Sequence, residues 1–188
     1  MNTGMIVLIV ILVILILIAL FVMNTYNSLV QGRNKVKDQW SQIDVLLKRR
    51  ADLIPNLVET VKGYASHEKE TLDAVISARA KAVNAANPKE EIAANAELSN
   101  ALGRLMAVAE AYPDLKANTN FMDLQNQLKD TEDKIAYSRQ FYNDTVMAFN
   151  NSIEVFPANL VASAFHFEKS EFFNVTNESD REAPQVKF

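Results

Sequence analysis

MIVLIVILVILILIALFVM, Met5 to Met23, is a run of 19 apolar residues with no charge and no Ser, Asn, Pro or Gly inside it. A helix of that length covers about 28 Å, close to the roughly 30 Å hydrocarbon core of a bilayer. A helix buried in a soluble core shows a polar stripe, whereas this run is apolar on every side. A cleaved leader needs a basic start, a shorter apolar stretch and a small-x-small cleavage site. Here Asn2, Thr3 and Gly4 carry no side-chain charge, and Leu20-Phe21-Val22-Met23 offers no such site. The run therefore reads as an uncleaved transmembrane helix over residues 5–23. A short N-terminal segment, 1–4, precedes it, and membrane lipid is its first implied partner.

Beyond the run come Arg33, Lys35 and Lys37 with Asp38, while the N-terminal flank has no Lys or Arg. The positive-inside rule then predicts a single-pass protein with its N-terminus outside and its C-terminal domain cytoplasmic. Residues 24–50 carry six Lys/Arg against two Asp/Glu, and residues 51–188 carry thirteen against twenty-one. The basic zone suits a stalk beside anionic headgroups, and the acidic remainder argues against nucleic acid. Four glycines, five prolines and an excess of Ala, Leu, Asn, Lys and Glu favour helix over sheet.

The helical register is legible from Tyr26 onward. Alternating steps of three and four give Tyr26, Leu29, Arg33, Val36, Trp40, Ile43, Leu47, Arg50, Ile54, Leu57, Val61 and Tyr64, a coiled-coil-like seam containing two arginines. The register passes Pro55 without slipping, and Ile54 is a poor N-cap, so one long helix kinked at Pro55 is predicted. After Gly63 and Ser66–Glu70 the pattern resumes at Leu72, Val75, Arg79 and Ala82 with a stutter. Asn84–Lys89 reads as a turn, Leu98, Leu102, Leu105, Ala109 and Tyr112 as the next helix, and Asn118–Asn120 as the cap of a third. In that third helix Phe121, Leu128, Ile135, Tyr142, Phe149 and Phe156 recur at steps of seven beside small hydroxyl residues. With Trp40, the row Phe121, Leu128, Ile135, Tyr142 and Phe149 is a seam for packing inside one bundle or for self-association. The fold class is all-α: a transmembrane helix, then an antiparallel bundle of long helices over 24–173. Pro157 ends the third helix. Phe165, Phe167, Phe172 and Phe173 follow, as a bundle cap or a contact for a partner or the membrane. Residues 174–188 read as a flexible polar tail.

The search for chemistry returns little. Four isolated glycines exclude phosphate-binding Gly-rich loops. With no cysteine and only His67 and His166, there is no metal-ligand cluster, and the start of an HExxH motif at His67-Glu68 fails at Thr71. Neighbouring carboxylates such as Glu90-Glu91 do not face each other on a helix and read as solvated charges. The expectation is no enzyme, no cofactor, no metal and no small-molecule substrate. One polar group stands out: Asp44, Lys48, Arg49, Arg50 and Asp52 fall within three turns, a candidate interaction surface. An arginine on the seam needs a carboxylate, and Glu110, Asp114 and Glu132 are in place to supply one.

Several stretches carry a resemblance. Tyr26–Val30, Arg33-Asn34, Trp40–Val45, Leu47–Val58, Val61–Ala65, Glu110–Asn118 and Tyr142-Asn143 closely resemble, in the same order, the LemA family. The resemblance implies a protein of the bacterial cell (inner) membrane with a helical bundle, and it implies no reaction. It also brings in membrane metallopeptidases, near which such proteins are often encoded. Two roles are therefore expected: a self-associating scaffold forming a homo-oligomer, or a regulatory adaptor of a membrane protease or envelope quality-control system.

Overall fold

The computed structural model describes residues 3–173. The tail expected at 174–188, like Met1 and Asn2, lies outside them. Among the described residues the regular elements are helices: α1 (Thr3–Tyr64), α2 (Lys69–Val83), α3 (Pro88–Glu110), α4 (Pro113–Lys116), α5 (Thr119–Glu154) and α6 (Ala158–Ala164). The all-α expectation holds. Thr3 and Gly4, expected in the short N-terminal segment, belong to α1. Two units form, and α1 and α5 each contribute to both.

The first unit holds residues 3–41 and 140–172. The 18-residue window of α1 that qualifies as a membrane span is wholly exposed, so among the described residues nothing covers its apolar surface. Further along, Leu29 and Val36 of α1 are buried with Tyr142, Val146, Phe149 and Ile153 of α5 and Val161 of α6. The close approach of α1 and α5 depends on Gly32, because a Cβ there would sit 3.0 Å from the Phe149 ring. Trp40 meets Tyr142 edge-on at 5.5 Å. After α6 the chain turns at His166, whose φ is 54°, and runs back along α5. Asn150 fixes that return: its Nδ2 donates to Ser170 O at 3.0 Å and its Oδ1 accepts from Ser170 N at 2.9 Å. The Tyr142 hydroxyl donates to Glu171 O at 2.9 Å.

The second unit holds residues 42–139 with Phe173. Ile54, Leu57 and Val61 of α1, Leu72 and Val75 of α2, Leu98, Leu102 and Leu105 of α3, Leu115 of α4, and Phe121 and Leu128 of α5 form one buried cluster. Side chains of this size each contribute roughly 1.5–3 kcal/mol when removed from water. The register stutter expected after Gly63 is instead a break, with α1 ending at Tyr64 and α2 starting at Lys69. The turn expected at 84–89 occupies 84–87, and of the cap zone expected at 118–120 Asn118 is the cap. Asn87 Oδ1 accepts from Glu90 N, with Pro88 opening α3, and Asn118 Oδ1 accepts from Phe121 N, each at 3.0 Å.

α1 stays helical through Pro55. A proline inside a helix lacks the N–H that would bond the carbonyl four residues back, here that of Ala51. Ala51 is buried, so its carbonyl needs another donor. Arg79 of α2 supplies it, with Nε donating to Ala51 O at 2.7 Å.

Candidate functional site

Of the five residues expected to form a polar surface, Arg50 does something else. Its side chain is completely buried in the second unit. One terminal nitrogen donates to Glu132 Oε1 at 2.8 Å and to Ser99 Oγ at 2.9 Å; the other bonds Asn95 through both the side-chain and main-chain oxygens. Nε has no hydrogen-bond partner. A buried guanidinium is tolerated only when most of its donors are satisfied and its charge is met. Asn95 and Ser99 are themselves held by α3, Asn95 Nδ2 donating to Glu91 O and Ser99 Oγ to Asn95 O. The sequence placed Glu132 among the acceptors open to a seam arginine, and Glu132 is the one used. Glu110 instead pairs with Lys116.

A second arginine shares this environment. Arg139 of α5 lies 4.5 Å over the Phe173 ring, and its Nε also lacks a partner. Burial, and next the like charge of Arg50, hold its pKa below the ordinary guanidinium range, while Glu132 opposes the shift. Phe173 is buried there, so it is no exposed contact residue.

Next to Arg50 opens a cleft of about 320 Å³. α1 lines it with Asp44, Leu47, Lys48, Ala51 and Asp52, α2 with Arg79, Ala82 and Val83, and α3 with Glu91 and Asn95. Lys48 and Asp52 form an exposed i,i+4 pair at 3.3 Å, a weak surface contact. Glu91 is not the solvated charge expected from the sequence. Its pKa is pushed up to about 7, first by burial, then by the charge of Asp44 and a hydrogen bond between the two carboxyl groups. A carboxyl group held at that pKa lets the cleft exchange a proton near neutral pH or accept a cationic or amide donor. Among the described residues no group of three or more His, Cys, Asp or Glu is placed to hold a metal ion.

The remaining candidates divide. Arg49 is exposed. Phe121, Leu128, Ile135, Tyr142 and Phe149 are buried within the chain itself, and Trp40 is half-buried. Arg33, expected in the core, is exposed and lies 5.2 Å from the centre of the Phe167 ring. Phe165 and Phe167 pack on Tyr26, at 4.8 and 5.8 Å between ring centres. Phe172 is partly exposed.

Comparison with known proteins agrees with the resemblance drawn above. The model of the LemA family matches residues 39–188. The chain belongs to the LemA family. Magnetosome protein MamQ 2 of Paramagnetospirillum magneticum is 26% identical over 174 residues, covering 79% of this chain and 64% of that protein. Protein LemA of Metamycoplasma hominis is 28% identical over 150 residues, covering 79% of this chain and 66% of its own length. Magnetosome protein MamQ of Magnetospirillum gryphiswaldense is 25% identical over 175 residues. The chain thus spans a little under two thirds of the length of these relatives, whose names denote no enzyme. Arg50, Asn95, Ser99, Glu132 and the carboxyl pair fall inside the family match. With its exposed apolar helix, this LemA-family chain is a membrane protein.

Residues the sequence reading missed are Arg79, Glu91, Asn95 and Ser99. The last three were detectable, since steps of four on α3 put a polar stripe on one face beside Leu98, Leu102 and Leu105.

Proposed function

We infer that this chain is a non-enzymatic scaffold, held at a membrane by α1 and self-associating through α5. The observation that carries the reading is on α5 within the first unit. Phe141 is 53% exposed, and Ala148, one heptad beyond it on the same face, is exposed too. The regular heptad row on the same helix is used up inside the protomer, so a second copy would have to use this other face. The magnetosome in two relatives' names supports the reading, because a scaffold is the kind of part an assembled body needs. Native mass spectrometry of the full chain in nanodiscs tests it. A defined oligomer that falls to monomer in Phe141→Lys supports it, and a monomeric parent protein overturns it.

A second reading, the regulatory adaptor of a membrane protease or quality-control system, draws on the cleft. A half-protonated Glu91 beside Asp44 would hold a partner's basic or amide group. Capture of such a protease by the parent protein, lost in Asp44→Asn with Glu91→Gln, favours it.

A further inference from the structure

Between Glu154 and Glu168 the chain reads VFPANLVASAFHF, 13 residues with no Asp, Glu, Lys or Arg. This excursion is closed at its base by two clamps, Asn150 with Ser170 and the ion pair of Lys169 with Glu154. Its tip turns apolar side chains outward. Val155, Phe156 and Leu160 are 56%, 79% and 62% exposed. A soluble loop held so firmly would place polar residues there.

Its position within the first unit explains the composition. Val155 and Ala158 line a shallow hollow of about 410 Å³ together with Phe21, Asn24 and Thr25 of α1. Phe21 belongs to the last turn of the apolar run, and Asn24 and Thr25 are the first polar residues beyond it. The excursion therefore meets α1 at the level where hydrocarbon gives way to headgroups. Tyr26, packed at a tilt on Phe165 and edge-on to Phe167, adds the aromatic girdle common at that depth, and Arg33 over Phe167 puts a cation just beyond.

We propose that the α5–α6 corner, through Val155, Phe156 and Leu160, is a second membrane contact that enters the lipid interface beside α1. The occupant of this face is lipid because Val155, Phe156 and Leu160 lie exposed beside the end of the apolar span, at the level where its first polar residues, Asn24 and Thr25, begin. The contact holds the first unit by two points rather than one, restricting rotation about α1, as interfacial elements do. The inference rests on the reading of residues 5–23 as a membrane span.

The test places a single tryptophan in the full chain, on a Trp40→Phe background that keeps an aromatic ring against Tyr142. Phe156→Trp and, as reference for the span, Met23→Trp are reconstituted in phosphatidylcholine–phosphatidylglycerol vesicles. Bromines on the acyl chains, near or far from the headgroup, quench from within the lipid, and iodide quenches from water. The expected result is that Phe156→Trp loses about half its emission to the headgroup-proximal bromines and little to iodide. Quenching of Phe156→Trp by iodide alone, with Met23→Trp still quenched by bromine, overturns the inference and leaves the span intact. Protection from both quenchers overturns it in favour of a protein partner, a second copy if the protection fades on dilution into excess lipid. If Met23→Trp escapes the bromines, the span reading falls and the inference falls with it. Leu160→Trp repeats the measurement should Phe156→Trp lose helicity.

Discussion

In the unit of residues 3–41 and 140–172, aromatic rings do much of the packing, and the buried polar side chains, Asn150 and Tyr142, bond to backbone. In the unit of residues 42–139 with Phe173, the packing is mainly aliphatic and closes on a guanidinium with a carboxylate partner. The difference follows from what each unit must hold. The first ties an irregular return strand to a helix, and its unpaired N–H and C=O groups call for neutral donors and acceptors. The second fixes the register of three helices, α1, α3 and α5, and an ion pair with directional bonds discriminates between registers. The first should therefore respond little to pH, and the second strongly to loss of a charge.

The severest break is Glu132→Ala. It leaves Arg50 buried with its charge unmet and should lower stability by about 3 kcal/mol, the low end for such pairs because Glu132 is partly solvated. Thermal unfolding of the full chain in detergent, followed by circular dichroism, reads this. A loss no larger than that of the exposed Glu59→Ala would mean that the pair does not hold the unit together.

Arg79→Leu comes next, at about 2 kcal/mol, since it strips the donor from a buried carbonyl. Pro55→Ala should recover most of that loss, because an alanine restores the helical N–H that the Ala51 carbonyl lacks. Failure of the double variant to recover would show that Arg79 acts elsewhere in the cleft. In the other unit Asn150→Ala should cost about 1.5 kcal/mol, for two neutral bonds to one residue. Hydrogen exchange at Ser170 should accelerate, and unchanged exchange would remove Asn150 as the clamp.

The gross architecture was open to reading because it rests on periodicity. The apolar run, the Tyr26–Tyr64 register and the steps of seven in α5 each express a local rule. Asn87 and Asn118 were legible for the same reason, as caps. Arg50 was legible halfway: its seam position demanded a carboxylate, but choosing Glu132 over Glu110 depends on how α5 packs. Arg33 occupies the same row and is exposed, because its neighbours are set by the chain's return after α6, which has no period. Glu91 was misread because sequence adjacency hides a partner 47 positions away, Asp44. The break at 65–68 looked like a stutter because Leu72 and Val75 belong to the same buried cluster either way.

Smaller than these is the pH response of the carboxyl pair. The folded-state pKa of Glu91, about 7, lies above its unfolded value, so the folded protein favours the protonated form. The contribution is present in full below about pH 4.5 and is lost as pH rises through about 7. Half of the group still meets water, so the effect should be about 1 kcal/mol. Glu91→Gln should flatten the stability profile across that window and gain on the parent protein above pH 7. A parallel pair of profiles would show that the fold does not favour a protonated Glu91.

The smallest expected effect bears most directly on the contrast between the units. Arg33 and Arg50 lie on one seam of one helix, yet the first faces an aromatic ring in water and the second a carboxylate in the core. An exposed cation over a phenyl face is worth about 0.5 kcal/mol, so Arg33→Ala should shift unfolding only slightly. Arg33→Lys should keep part of the contact, since the ammonium still offers charge to the Phe167 face but lacks the flat guanidinium that stacks. A loss approaching that of Glu132→Ala would mean that the aromatic unit, too, depends strongly on a cation, beyond the exposed Lys169–Glu154 pair, and the division between the two units would fail at its clearest point.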